Sequence, residues 1–428
     1  MDKNRKTAYN ALVDIESKKS YSNLALNHHI IVGKPSSPAF VRELVYGVLE
    51  NKMLLDYIID QLVPSGAAKL RISELTILRM GIYQLGYMNS VPEYAAVNES
   101  VNLAKRFTSG KKGFVNGVLR AYIREKFTIK LPDRNEDELR YLSVRYSYEP
   151  WIISLWLEQY DAEFVEELLA AGNETPEMVI RMNWLKTVKS DLMARLEKKG
   201  YKVKNGRLCQ NAIIVEGPEI LGNSIYEEGY YSIQDEASML TSEKLNPQKG
   251  DFVIDVCAAP GGKTLAIAER MDNKGTILAS DIYKRKLELI DREAKRLGVE
   301  NITLRTWDAT RVDSELIGKA DRVLCDVPCS GLGVVRRKPE IKYKRYTREM
   351  ELLTVKQRSI LEASSKYVKM GGTIVYSTCT INKYENDRVV NDFLAKYKEF
   401  EEIERKQLFP NVDGTDGFFY CVMRRKTF

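Results

Sequence analysis

The sequence predicts an α/β protein: a doubly wound, mostly parallel sheet preceded by a small α+β segment and an all-α N-terminal part. Three observations predict it. From Tyr231 onward, apolar runs of strand length alternate with segments of helical period, the order that builds parallel sheets. Near the end of the first hundred residues, Leu75, Leu78, Ile82 and Leu85 recur on one face of a helix, within a stretch that reads as helix from residue 1 to about 130. Within the alternating region stands Asp255-Val-Cys-Ala-Ala-Pro-Gly-Gly-Lys-Thr264, fed by an apolar run and followed by an apolar-periodic one. That is a strand, a glycine turn and a helix start, which together present backbone N–H groups to a ligand.

Composition narrows the classes. A chain of 428 residues has room for two or three domains, and 44% hydrophobic with 29% charged residues is ordinary for a soluble globular protein. No apolar run approaches the roughly 18 residues of a membrane span, and Met1-Asp-Lys-Asn-Arg-Lys has no signal-peptide core. The six cysteines contain no Cys-x-x-Cys pair, which argues against a disulfide framework or a zinc site, so no metal is expected and the natural setting is a reducing cytoplasm. His28 and His29 are the only histidines, which excludes Ser-His-Asp and Cys-His catalysis from the C-terminal part. All of the net charge of +7 falls in residues 1–147, the remainder balancing, and a basic first third suits a polyanionic partner.

Taken in order, helices are expected near Lys6–Glu16, Ala39–Leu62, around Leu75–Leu85, Tyr94–Phe107 and Gly113–Lys126, separated by Gly33-Lys-Pro-Ser-Ser-Pro, Pro64-Ser-Gly and Ser109-Gly. Lys105, Arg106, Lys111, Lys112 and Arg120 lie along the last two, where they suit phosphates and a solvated face equally well. A polar linker starts at Leu131-Pro-Asp. From Tyr148 to Tyr230, a helix bearing Trp151 and Leu169 precedes a strand at Glu177–Trp184, a helix at Ser190–Lys199 and strands at Tyr201–Val203 and Ala212–Val215. This βαβ-like order with Lys199, Lys202 and Lys204 suits a small RNA-contacting subdomain. The domain limits expected are therefore 1–140, 148–230 and 231–428.

In the last part, strands are expected at Phe252–Val256, Thr276–Ser280, Ile302–Thr306, Arg322–Asp326 and Thr373–Ser377, with helices at Lys263–Met271, Arg285–Leu297 and Thr347–Val368. The run from Gly417 would close the sheet edge. Ligands of such sheets bind beyond the carboxyl ends of the strands. Asp255, Asp281, Asp308, Asp326 and Cys379 all fall there. The glycine turn itself is neither a Walker A loop, which would need glycine where Cys257 stands, nor a Gly-x-Gly-x-x-Gly fingerprint. Asp281 can accept from ribose hydroxyls and Asp308 can face a purine amino group, although a lone strand-end aspartate more often caps the next helix. Cys329, in Asp326-Val-Pro-Cys-Ser-Gly, and Cys379, in Ser377-Thr-Cys-Thr, would meet on neighbouring strand ends. Two thiols facing one pocket without metal-ligand partners point to covalent chemistry, whereas Cys209, Cys325 and Cys421 read as small buried hydrophobes.

These motifs resemble the S-adenosylmethionine-dependent RNA 5-methylcytosine methyltransferases. Gln234-Asp-Glu-Ala-Ser238, Val335-Arg-Arg-Lys-Pro-Glu-Ile-Lys342 and Asp413-Gly-Thr-Asp-Gly-Phe-Phe419 add to the likeness. Within that family the chain is most similar to the bacterial small-subunit ribosomal RNA group of the RsmB (Fmu/Sun) type, whose N-terminal domain is like the antitermination factor NusB. Tyr94-Ala-Ala-Val-Asn-Glu-Ser-Val101 and Phe114-Val-Asn-Gly-Val-Leu-Arg120 carry that part. The resemblance covers nearly the whole chain. It implies a Rossmann-like, seven-stranded methyltransferase domain and S-adenosyl-L-methionine as cofactor, held by Cys257, Ala258, Ala259, Pro260, Gly261, Gly262, Lys263, Asp281, Asp308 and Asp326. It implies Cys379 as the nucleophile at cytosine carbon 6 and Cys329 as the residue that assists release of the adduct. Asp326 would hold the cytosine N3 or amino edge and Lys263 would touch the pocket from the cofactor loop. One departure is Lys286, where relatives usually carry arginine.

The expected partner is small-subunit ribosomal RNA, without a membrane and with the protein a monomer. Arg336 to Arg345, with Tyr343 and Tyr346 interleaved, suits a phosphate track with stacking partners beside the pocket. The alternatives are the same chemistry on another RNA, or a non-catalytic ribosome-assembly RNA-binding protein that kept the fold.

Overall fold

The computed structural model describes residues 1–344 and 348–427. Arg345 and Tyr346, expected in the basic track, lie outside these residues. The chain divides into two compact units, the first built from Met1–Glu174 with the segment that begins at Val335, the second from Thr175–Val334 with the C-terminal remainder.

The first unit is helical. Leu78 and Ile82 are fully buried, while Leu75 and Leu85 flank the same core, so the expected stripe does line the interior of the helix Ile72–Tyr87. Around it pack Lys3–Lys18, Ser22–Gly33, Pro38–Glu50, Lys52–Leu62, Glu93–Phe107 and Lys112–Glu125. Two segments expected as single helices are divided. Ala39–Leu62 breaks at Asn51, whose amide donates to Gly47 O at 2.9 Å. The helix through Trp151 and Leu169 becomes Pro150–Leu157 and Ala162–Ala171, because Asp161 accepts from Phe164 N–H and starts a new N-terminus. The stretch expected as linker contains a further helix, Glu138–Tyr146, capped by Asp137 and burying Leu142.

The segment from Val335 overturns the phosphate-track expectation for Arg336, Lys342 and Tyr343, whereas Lys344 is exposed. Arg336 is 6% exposed and Lys342 is fully buried. Lys342 Nζ donates to Glu50 O (2.8 Å), Tyr146 O (3.3 Å) and Asn173 Oδ1 (2.5 Å), and sits 4.5 Å from the centre of the Tyr148 ring. Tyr343 donates its hydroxyl hydrogen to Leu49 O, and Glu340 accepts from Ser22 N–H. Glu50 and Tyr146 are the last residues of their helices, so their carbonyls lack partners within the helix. The buried Lys342 amine satisfies them, and burial pushes its pKa down to about 7. These side chains are spent on the core of the helical unit rather than on a nucleic-acid surface.

In the second unit, β1 (Val179–Met182), β2 (Lys202–Asn205), β3 (Ala212–Glu216) and β4 (Tyr231–Ile233) form a small sheet in the order β2-β3-β1-β4, each neighbour antiparallel. β1 and β2 run the same way with β3 between them, joined by the helix Lys189–Lys198, which is a split βαβ arrangement. Tyr231, the expected start of the catalytic domain, is fully buried in this sheet instead.

The large sheet has seven strands: β5 (Phe252–Asp255), β6 (Thr276–Asp281), β7 (Ile302–Thr306), β8 (Ala320–Asp326), β9 (Val368–Thr378), β10 (Phe400–Leu408) and β11 (Phe418–Arg425). Their order is β10-β11-β9-β8-β5-β6-β7, with β11 antiparallel to both of its neighbours and the pairs from β9 to β7 parallel. The late run expected to close the edge is one strand inside it. β11 is buried along Phe418–Met423 and takes the interior position, whereas β10 carries Glu401, Glu402, Glu404, Arg405 and Lys406 and tolerates the edge. Strands β5, β6 and β7 step outward on one side, and β8 returns beside β5 on the other. The topological switch point therefore lies between the ends of β5 and β8.

Candidate active site

β5 delivers Asp255 to the switch point with 1% exposure. Thr264 Oγ1 donates to its Oδ2 at 2.6 Å. Burial pushes its pKa up to about 7, against the pull of that hydrogen bond. The loop that follows reaches Gly261 at φ 108°, a left-handed conformation, and a Cβ there would come within 2.9 Å of Ile290. Only glycine fits, so the chain turns tightly into the helix Gly262–Arg270 and leaves its first N–H groups at the loop. Ala258 N–H donates to Ser280 O at 2.9 Å, fixing the loop to the end of β6.

Asp281 closes β6 and accepts from Tyr283 N–H at 2.9 Å. Asp308 follows β7 and accepts from Thr310 N–H (3.0 Å) and Thr310 Oγ1 (2.8 Å), bonds that hold its carboxyl below the usual carboxylate range. Both aspartates thus brace their own loops while standing at the carboxyl edge of the sheet. That arrangement fits a nucleoside-type cofactor: a glycine-bound loop with helix N–H donors, and two carboxylates at adjoining strand ends for hydroxyl and amino groups. At the departure noted in the sequence, Lys286 Nζ lies 4.7 Å from the centre of the Tyr283 ring.

Across the switch point, Lys263 Nζ pairs with Asp326 Oδ2 at 2.7 Å, and Ser377 Oγ donates to Asp326 Oδ1 at 2.8 Å. The register explains it, since Asp326 faces Ser377 on β9. Lys263 also lies 4.7 Å from the Phe418 ring centre. Burial alone would lower the Lys263 pKa, but Asp326, Cys379 and Asp255 outweigh it and hold the ammonium charged. One residue of the glycine loop is thereby tied to the ends of β8 and β9.

Cys329 and Cys379 do meet. Their sulfurs are 3.2 Å apart, each only partly buried. The hydrogen bond to Cys379, followed by burial, pushes the Cys329 thiol well above the ordinary value. Cys209, Cys325 and Cys421 are buried, as expected, while Cys257 is partly exposed on the glycine loop.

Two elements of this region carry no sequence signal by themselves. Arg181, on β1, is 1% exposed and pairs with Glu269 (2.7 Å), while donating to Gly262 O (2.7 Å) and to Gln234. Glu236 accepts three backbone N–H groups, from Arg207, Leu208 and Cys209. Gln234 and Glu236 lie in one of the runs that carried the family likeness. Arg181 sits in a strand whose apolar run hides it.

Comparison with known proteins supports the same architecture. Residues 242–424 match the family model for the 16S rRNA methyltransferase RsmB/F, residues 2–124 that for the NusB family, and residues 148–220 that for the ferredoxin-like domain of RsmF/B-like methyltransferases. A probable ribosomal RNA small subunit methyltransferase B of Bacillus subtilis is 37% identical over 99% of this chain and 98% of its own length. Its counterpart from Synechocystis is 34% identical over 98% of this chain and 99% of its own. The crystal structure of PH0851 shares the fold over 97% of this chain and 98% of that one, with a TM-score of 0.83 at 24% identity.

Proposed function

The chain belongs to the RsmB/F family of 16S rRNA methyltransferases, and from that premise we propose that it methylates carbon 5 of a cytosine in small-subunit ribosomal RNA through a covalent cysteine adduct. The observation that carries this reading is the 3.2 Å contact of Cys329 and Cys379 beside the Lys263–Asp326 pair. A methyl transfer to nitrogen, oxygen or a protein side chain has no use for paired thiols.

S-Adenosyl-L-methionine, when bound, supplies an electrophilic methyl group. Cys257 to Lys263, Asp281 and Asp308 are the residues proposed to hold it, with Asp326 at the boundary with the base. Carbon 5 of cytosine is a weak nucleophile until a thiolate adds at carbon 6. Cys379 forms that sulfur–carbon bond, and the electrons of the 5,6 double bond make carbon 5 enamine-like. The charged Lys263 stabilises the thiolate before attack. Asp326, oriented by Ser377 and Lys263, accepts from the amino edge of the base. After methylation a base removes the carbon 5 proton, the electrons of that carbon–hydrogen bond restore the 5,6 double bond, and the sulfur–carbon bond breaks with its electron pair leaving on the Cys379 sulfur. Cys329, kept as a thiol, donates a hydrogen bond to the departing sulfur. The target cytosine must be single-stranded or extruded to reach the thiols. The protein is proposed to act as a monomer, with limits of 1–140 for the NusB-like domain and, because β4 completes the small sheet, 148–233 for the small subdomain and 234–428 for the catalytic domain.

The test uses tritiated S-adenosyl-L-methionine and 16S RNA from a strain lacking the protein. Wild-type protein labels the RNA, Cys379→Ala does not, and Cys329→Ala accumulates an RNA-linked protein on a denaturing gel. Swapped outcomes for the two variants would reverse the roles. No labelling by wild-type protein would favour a non-catalytic assembly factor, and bisulfite sequencing identifies the cytosine.

A further inference from the structure

Beneath the two thiols lies a carboxylate that the chemistry above does not use. Glu385 is 2% exposed. Its Oε1 accepts from Ser330 Oγ (2.6 Å) and Asn382 Nδ2 (3.1 Å), and its Oε2 from Ser330 N–H (2.9 Å) and Gln357 Nε2 (2.9 Å). Four donors on two oxygens fill the acceptor capacity that a buried carboxylate needs.

The donors are not scattered. Ser330 directly follows Cys329, and Thr380 directly follows Cys379. Ser330 Oγ and Thr380 Oγ1 are 2.8 Å apart, and since Ser330 gives its hydrogen to Glu385, Thr380 must donate to Ser330. Thr380 Oγ1 in turn lies 3.4 Å from Asn382 N–H. A single directed relay therefore runs from the loop after Cys379, through the residue after Cys329, to Glu385. Gln357 adds a second brace by donating from one nitrogen to both Glu385 and Pro328 O, the carbonyl just before Cys329. The Glu385 backbone is fixed from below, because Tyr376 on β9 donates its hydroxyl hydrogen to Glu385 O at 2.6 Å.

We infer that Glu385 is the positioning residue of the two-thiol centre: through Ser330, Thr380 and Gln357 it sets the separation of the Cys329 and Cys379 loops. This rests on the two-cysteine reading of the site. Cys329 sits on an irregular loop, Cys379 one residue past the end of β9, and the β8–β9 pairing ends at the Asp326–Ser377 register. Beyond that register two backbone bonds, Val327 N–H to Ser377 O (3.0 Å) and Gly333 N–H to Cys379 O (3.1 Å), join the loops, and the side-chain clamp adds the brace nearest the sulfurs. The charge of Glu385 adds to the effects that keep Cys329 a thiol.

The experiment compares full-length wild type, Glu385→Gln, Glu385→Asp and Thr380→Val. Glu385→Gln keeps the shape but turns an amide NH2 toward donors. Its kcat should fall about 10- to 100-fold, the scale of a misplacement of about 1 Å. KM for RNA and for S-adenosyl-L-methionine should stay within about twofold, since none of the residues proposed to hold either ligand belongs to the clamp. Glu385→Asp should recover part of the loss. A role confined to stability would move neither kcat at a temperature where both proteins are folded nor thiol chemistry. The pH profile of iodoacetamide alkylation, read separately at Cys329 and Cys379 by mass spectrometry, should shift to lower pH at Cys329 in Glu385→Gln. Thr380→Val, which removes only the relay hydroxyl, should reproduce the kcat loss in a milder form and stands in if Glu385→Gln does not fold. Wild-type kcat and an unshifted alkylation profile in the folded variant would overturn the clamp. If wild-type protein transfers no label to RNA, the methyltransfer reading fails instead, and the alkylation profile, which needs no RNA, still decides the clamp.

Discussion

At the scale of single residues, Asp255 has a measurable consequence. Its carboxyl is almost wholly enclosed, and burial raises its pKa from 3.8 to about 7. The folded state therefore holds a proton that the unfolded chain has released between those values. Linkage then requires that stability from this group is full below about pH 4, declines as pH rises toward 7 and is lost above it. Asp255→Asn removes the titration while keeping a partner for Thr264. The difference in unfolding free energy between wild type and variant should move against wild type across that window and be flat above it. Urea melts at several pH values would show this, and a difference that does not vary from pH 4 to 7 would refute it. The contrast with Asp308, whose carboxyl is held low by donors from Thr310, shows how two strand-end aspartates diverge. One has burial as its dominant influence, and the other has hydrogen bonds.

At the scale of elements, Arg181 ties the small sheet to the start of the helix Gly262–Arg270. It spans β1, Glu269 on that helix and the Gly262 carbonyl at its first turn. Both charges are 1% exposed. Arg181→Met leaves Glu269 buried without its cation and should lower stability by roughly 3–5 kcal/mol. The double change Arg181→Met with Glu269→Leu removes both charges and should recover at least half of that loss. Chemical denaturation measures both, and a double variant no more stable than the single one would show that packing, not the stranded charge, sets the cost. A pattern reading places Val179–Met182 as a strand through its apolar neighbours. It cannot show that the one charged residue in it points inward, because the partner lies 88 positions away.

At the scale of the molecule, the segment after Val335 is a part of the helical unit although it follows the Cys329 loop in sequence. Its Lys342, Tyr343 and Glu340 use acceptors and donors at Glu50, Tyr146, Asn173, Leu49 and Ser22. A chain that begins at Thr175 strips these partners away and exposes Ile341, which is 4% exposed in the full protein. Such a truncation should melt at a lower temperature than the full chain and bind a hydrophobic dye. Unchanged melting and no dye binding would show that the segment refolds independently. A basic run with tyrosines carries the same letters whether it faces phosphates or helix ends, and only the position of the free carbonyls separates the two.

The sequence by itself determined the alternation of strands and helices, the glycine turn at the head of the sheet and the placing of Asp281, Asp308, Asp326, Cys329 and Cys379 at strand ends. These are local properties, written in spacing and in the conformational needs of glycine. Tertiary structure alone decided which strand lies at the edge, since burial of β11 outranks its late position in the chain. It also decided the Lys263–Asp326 pair, the sulfur contact and the Glu385 relay. Each of these joins residues tens of positions apart, and hydrogen-bond geometry and charge compensation exist only after the sheet has set its register.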